Sequence, residues 1–129
     1  MLRLMYITND PNVARIAADA GVDRIFIDME VLGKAARQGG MDTVQSHHVL
    51  TDIARVRAAI GDGAEIMARV NPLNPNSGAE IDACVANGAD VIMLPMWRTA
   101  DDLRRFVDLV GGRAATMPLL ETDDAARHL

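Results

Sequence analysis

Apolar runs rich in Ile, Val, Leu and Met alternate with segments of helical period, and the alternation repeats about every 20 to 26 residues apart from one longer interval. The pattern predicts strands over Leu2–Thr8, Arg24–Glu30, Glu65–Asn71, Val91–Met96 and Ala115–Glu121. Runs such as Ile25-Phe26-Ile27 and Val91-Ile92-Met93-Leu94 are almost unbroken, as expected of parallel strands covered on both faces. Helices are predicted over Pro11–Ala20, His47–Ile60, Ser77–Asn87 and Thr99–Val110, with a last one opening at Thr122. Their ends are readable. Asp10-Pro11 is an N-cap followed by proline at the first helical position, Thr99 with Asp101 and Asp102 opens another helix, and Gly21, Gly61, Gly88 and Gly111 follow helix C-termini.

The long interval is Val31–Ser46, a Gly-, Gln- and Ala-rich stretch between the second strand and its helix. Its length marks it as a functional or mobile loop. Two folds accommodate five βα units in one domain spanning residues 1–129. One is an open flavodoxin-like sheet. The other is a (β/α)₈ TIM-type barrel, which typically takes about 250 residues and would be only partly built here. Length favours the open sheet, and the residues at the strand ends must decide.

Half of the residues are apolar and 24% are charged, and the apolar runs are strand-sized. A membrane span, a secretory signal and disorder are therefore not expected, and a cytoplasmic globular domain is. A net charge of −5, no basic block and few aromatic residues argue against a nucleic-acid partner. The single cysteine, Cys84, shares a helix face with Ile81 and Val85 and is expected in the core.

In either fold the active edge lies at the C-terminal ends of the strands. Those ends read Asn9-Asp10, Asp28-Met29-Glu30, Arg69-Val70-Asn71, Pro95-Met96-Trp97 and Glu121-Thr122. Carboxylates and a guanidinium at the ends of buried strands need partners or a metal. Glu30, Arg69 and Glu121 are thus either a structural ion-pair cluster or a functional site. Pro95 and Met96 are candidates for contact with a substrate, and Trp97 for covering the barrel mouth or meeting a partner subunit. There is no Walker A sequence and no Gly-x-Gly-x-x-Gly after a strand. Arg69 and Glu121 stand where a receiver-type sheet would want aspartate and lysine. His47 and His48 point about 100° apart on a helix, so they do not readily share one metal, but either could serve as a general base.

Taken in order, Gly21-Val-Asp-Arg-Ile-Phe-Ile-Asp-Met-Glu30, Ala68-Arg-Val-Asn-Pro72, Ile81-Asp-Ala-Cys-Val-Ala-Asn-Gly-Ala-Asp-Val-Ile-Met-Leu-Pro95 and Leu119-Leu-Glu-Thr122 resemble the hydroxy-oxo-heptanedioate aldolase and citrate lyase beta-subunit family. The resemblance runs from about residue 13 to residue 129 and tips the fold to the barrel. It implies a carbon–carbon lyase that acts on a pyruvate-type oxo acid through an enolate stabilised by Mg²⁺ or Mn²⁺. By the same resemblance Arg69 grips the carboxylate and keto oxygen, Glu121 is a metal ligand, and Asp28 and Glu30 order the metal waters or the base. A planar arginine suits bidentate recognition of a carboxylate, and a Lewis-acid metal polarises a keto oxygen.

Two departures stand out. Val31 occupies the place of the family histidine, which leaves His48 or His47 as the candidate base; Lys34 and Arg37 resemble the citrate lyase-like branch. The family's second metal ligand, an aspartate ending a sixth strand, has no counterpart in the sequence, so metal binding is expected to be weak. The open alternative is a non-catalytic α/β module that self-associates through its unclosed sheet, and a homo-oligomer is expected in either case. Replacing Arg69 by Ala in an intact homologue is expected to remove most activity with little loss of stability.

Overall fold

The computed structural model describes residues 1–31, 49–127 and 129. Five strands, β1 (Met5–Ile7), β2 (Arg24–Asp28), β3 (Glu65–Arg69), β4 (Val91–Leu94) and β5 (Ala115–Pro118), alternate with helices α1 (Pro11–Asp19), α2 (Leu50–Ile60), α3 (Ser77–Ala86), α4 (Ala100–Val110) and α5 (Asp123–Arg127). The strands are shorter at their C-terminal ends than the apolar runs suggest. Asp28 and Arg69 are therefore the last residues of their strands, while Glu30, Asn71, Met96 and Glu121 stand on the loops that follow.

All pairings are parallel and the strand order is β1-β2-β3-β4-β5. A flavodoxin-like sheet reverses its winding at a switch point, and this sheet has none, which overturns the open-sheet alternative. Right-handed crossovers that always step in one direction put every helix on the same face. Alternate strand residues Ile25, Ile27, Ile66, Ala68, Ile92 and Leu94 accordingly pack with Ala14, Ile53, Val56, Ile81, Cys84 and Phe106 from the helices. The other face carries Phe26, Met67, Val91, Met93 and Met117. The architecture is that of a (β/α)₈-type barrel with five βα units present and the sheet still open.

Openness corrects one expectation. β2, β3 and β4 are covered, but Met5, Tyr6 and Ile7 of β1 are each about half exposed and β5 is mostly exposed, because among the described residues neither edge strand has an outer neighbour. Helix ends follow the sequence closely. Asp10 caps α1 by accepting from the Asn12 and Val13 amides at 2.8 and 3.0 Å, and Thr99 and Asp102 form a reciprocal capping box on α4. α2 differs: its N-cap is Val49, and Asp52 accepts the Val49 amide at 2.8 Å while also taking the Asn9 side chain from the end of β1. Cys84 is fully buried as expected, and burial, aided by the charge of Glu80, pushes its thiol up to about 12.

Candidate active site at the strand ends

The in-register pair Asp28 and Arg69 puts a carboxylate and a guanidinium side by side on the face away from the helices. Arg69 Nε donates to Asp28 Oδ1 at 3.0 Å and Nη2 to Oδ2 at 2.7 Å, a two-point fork. Glu30 Oε2 lies 3.8 Å from Arg69 Nε, and the guanidinium stands 5.5 Å from the centroid of the Phe26 ring. Asp28 and Glu30 are buried; the Arg69 side chain keeps 16% of its surface exposed. The hydrogen bond to Asp28 is the main influence holding the Arg69 pKa above its ordinary value. Burial opposes it, and the charges of Asp28, Glu30 and Glu121 reinforce it. Arg69 is permanently cationic.

The fork uses one edge of the guanidinium. Of its five N–H groups, those on Nη1 have no acceptor among the described residues, so the Nη1–Nη2 edge can present paired donors to a second carboxylate. Replacing Arg69 would remove the guanidinium that the buried Asp28 holds in a fork and that Glu30 faces. Arg69 thus ties the rim together while keeping part of its surface exposed, so a stability cost of Arg69→Ala is to be weighed beside its effect on activity.

Glu121 behaves differently. Its charge acts on Arg69, yet no ion pair joins them among the described residues; instead Glu121 Oε1 accepts the Met96 amide at 3.0 Å. Met96 adopts a left-handed backbone, φ 57°, unusual for a residue with a side chain and a conformation found at functional sites. That turn aims its N–H at Glu121. The ion-pair cluster read from the sequence thus contains Arg69, Glu30 and Asp28 rather than Glu121.

Pro95 is buried and Met96 half-buried beside this rim. Trp97 is 5% exposed and belongs to the core between sheet and helices, which corrects its placement at the barrel mouth: the left-handed turn at Met96 redirects the chain toward the helix layer. Its carbonyl accepts the Thr122 hydroxyl at 2.8 Å, and Thr122 Oγ1 in turn accepts the Ala125 amide of α5. His47, His48, Lys34, Arg37 and His128 lie outside the described residues.

Among the described residues no group of three His, Cys, Asp or Glu could hold an ion, Asp28 is committed to Arg69, and Glu121 is a single carboxylate on an exposed edge. Those residues do not by themselves make a centre for Mg²⁺ or Mn²⁺. A cavity of about 470 Å³ opens at the opposite ends of the strands, among Arg3, Asp23, Asp62 and Glu65. There Arg57 pairs with Asp90 and ties the Gly61 and Gly88 carbonyls, so its polar groups serve the turns rather than the rim.

Glu80 carries no signal in the sequence, and Asn71 only that of standing at the strand end Arg69-Val70-Asn71. Asn71 and Glu80 are nine residues apart, yet Glu80 Oε1 accepts both the Asn71 amide at 2.9 Å and Asn71 Nδ2 at 3.0 Å. No local pattern marks such a pair.

A one-directional parallel sheet with a polar constellation at its C-terminal rim defines a barrel-type enzyme scaffold. Residues 3–116 match the HpcH/HpaI aldolase/citrate lyase family, and the chain belongs to that family. Its fold is similar to that of an HpcH/HpaI aldolase from Desulfitobacterium hafniense DCB-2 (TM-score 0.65, 16% identity, covering 96% of this chain and 43% of that one). It is also similar to macrophomate synthase (0.61, 13%, 97% and 49%) and to NadC from Streptococcus pyogenes (0.50, 18%, 95% and 42%). At these identities the likeness is one of fold, and the chain spans less than half the length of each structure. No curated protein matches the chain significantly.

Proposed function

We propose that the chain carries the substrate-gripping part of a carbon–carbon lyase site for a pyruvate-type oxo acid. The carrying observation is the posture of Arg69: one edge is fixed by Asp28 while the other offers paired N–H donors at the strand-end rim. A carboxylate docked on that edge places the adjacent keto oxygen beside a permanent cation. As the carbon–carbon bond breaks, its electron pair moves onto that oxygen as an enolate, and the charge of Arg69 is already in place to stabilise it. Asp28 and Glu30 keep the guanidinium oriented, so little reorganisation is needed. A base, for which His48 is the candidate, takes the proton of the hydroxyl on the far carbon of the breaking bond, and that carbon departs as the carbonyl product.

Three carboxylates, Asp28, Glu30 and Glu121, face one guanidinium. The family supports a divalent cation, Mg²⁺ or Mn²⁺, accompanying the substrate with Glu121 among its ligands. Further ligands from outside the described residues are then required. A cytoplasmic location belongs to the same reading, and among the described residues no helix is long and apolar enough to cross a membrane.

The test is proton NMR of pyruvate in D₂O with the protein and Mg²⁺. Enolate formation replaces the methyl protons by deuterium, and loss of the signal that depends on Arg69 and on the metal is the expected result. An undiminished methyl signal over a day would refute the reading for this chain.

A second reading rests on the half-exposed apolar residues of β1 and on the exposed β5. Unpaired edges of this kind favour association, and we infer a homo-oligomer assembled through them. Sedimentation velocity across a concentration series should show mass above the monomer; a monomer throughout would exclude it.

A further inference from the structure

We propose that Glu80 and Asn71 are positioning residues for the rim, acting on Glu30 through the backbone of Val31. Its catalytic consequence rests on the function proposed above; its geometric content does not. Glu80, in the first turn of α3, accepts the backbone and side-chain N–H groups of Asn71 on one oxygen, at 2.9 and 3.0 Å. Asn71 Oδ1 accepts the Val31 amide at 2.7 Å. Glu30, the neighbouring residue, donates its own amide to Asp28 Oδ1 at 3.2 Å, the same oxygen that receives Arg69 Nε. The loop after β2 is thereby held at two consecutive amides, one tied to Asp28 and one to α3 through Asn71.

The Asn71 amide has one orientation that satisfies both neighbours. Turned over, its oxygen would meet the Glu80 carboxylate and its NH₂ would meet the Val31 N–H, two repulsive contacts. Glu80 therefore sets which way Asn71 points, and Asn71 sets where the Glu30–Val31 backbone stops. Since Val31 itself is exposed, the bond to Asn71 is what anchors its amide. Release of that anchor loosens the backbone beside Glu30 and, through the Glu30 amide, disturbs the Asp28 oxygen that also receives Arg69 Nε.

Substitution chemistry separates positioning from mere packing. Glu80→Gln keeps an oxygen that accepts both Asn71 donors. Glu80→Ala removes the acceptor. Asn71→Asp is nearly isosteric but sets a second carboxylate against Glu80, and adding Glu80→Gln relieves that repulsion and supplies a donor.

The experiment measures amide hydrogen exchange at Val31, the Arg69 Nε–H resonance and pyruvate methyl exchange in D₂O, in wild type and all four variants after circular dichroism confirms folding. We expect Val31 to exchange at least about fivefold faster in Glu80→Ala and Asn71→Asp, as loss of one hydrogen bond implies. The Arg69 Nε–H resonance should shift in the same variants. Glu80→Gln should stay within twofold of wild type, and the double variant should recover most of the loss. Pyruvate exchange should fall at least threefold in Glu80→Ala and be retained in Glu80→Gln. Unchanged Val31 exchange in Glu80→Ala overturns the proposal, as does unchanged pyruvate exchange in an active protein that has lost the Val31 bond. If wild type shows no pyruvate exchange, the proposed function fails alone. Positioning is then decided by Arg69: a shift in Glu80→Ala that Glu80→Gln does not show sustains it, and a fixed resonance overturns it.

Discussion

Uncoupling Arg69 from Asp28 gives the most direct measure of how the rim is held. The perturbation is a double-mutant cycle of Arg69→Met and Asp28→Asn. Arg69→Met takes the guanidinium away from Asp28, with its side chain 1% exposed, and from Glu30, with its side chain fully buried. Breaking a buried pair from one side costs about 3–5 kcal/mol, and the partial exposure of Arg69 puts the cost near the lower end, about 3 kcal/mol. Asp28→Asn keeps the shape and one acceptor, and Glu30 still faces the guanidinium, so the cost is about 2 kcal/mol. In the double variant the Asp28 charge is gone, and only Glu30, the more distant carboxylate, has lost the guanidinium. Its cost should be about 3 kcal/mol rather than 5, a coupling of about 2 kcal/mol. A chain of this length has a total stability on the order of 6–19 kcal/mol, so each variant retains a folded baseline. Urea unfolding followed by the fluorescence of Trp97, the single tryptophan and 5% exposed, reads all four corners of the cycle. Additivity to within about 0.3 kcal/mol would show that the two side chains do not depend on each other and would refute the account of the fork.

Burial raises the Glu80 pKa, against the pull of its two bonds from Asn71, so folding favours its protonated form. Its contribution is complete below the ordinary carboxylate range and is lost as pH rises through the raised value. Glu80→Gln should accordingly gain stability relative to wild type between acidic and neutral pH, and a flat or falling difference in urea titrations would contradict this. Asp102 has the opposite sign. Burial pushes it up, but bonds from the Arg98 and Thr99 amides and the Thr99 side chain, with the charge of Arg105, outweigh burial and lower it. Its support of α4 is present above the ordinary aspartate value and is lost as pH falls through the lowered one, a loss that Asp102→Asn should abolish. Thr99→Ala should destabilise by about 1 kcal/mol in thermal or urea unfolding, and no change would deny the cap a role. Cys84 should resist thiol reagents at pH 8 until the chain unfolds; fast labelling of the native protein would show that the α3 face is open.

Much of this architecture is legible along the chain because its causes are local. Apolar periodicity places every described strand and helix to within a few residues, and Asp10-Pro11 and Thr99 mark helix starts because an N-cap acts on amides two or three positions away. Arg69, Asp28 and Glu30 stand out because ionisable groups directly after apolar runs require a partner. Which partner each takes is not local. The β2–β3 register aligns Asp28 with Arg69 across 41 residues, while the left-handed turn at Met96 gives Glu121 a backbone amide instead of the arginine. Trp97 enters the core through that same turn, and Glu80 reaches Asn71 only because α3 folds back over the end of β3.

The sequence by itself determined the βα rhythm, the polar rim and, through ordered motifs, the resemblance to an aldolase and lyase family. Period and residue type encode each of these within a few turns of chain. The tertiary structure decided the winding direction, and with it the barrel-type sheet over the flavodoxin-like one, because strand order depends on which edge each crossover joins. It also decided that Arg69 answers to Asp28, since hydrogen-bond geometry exists only once two distant strands lie side by side.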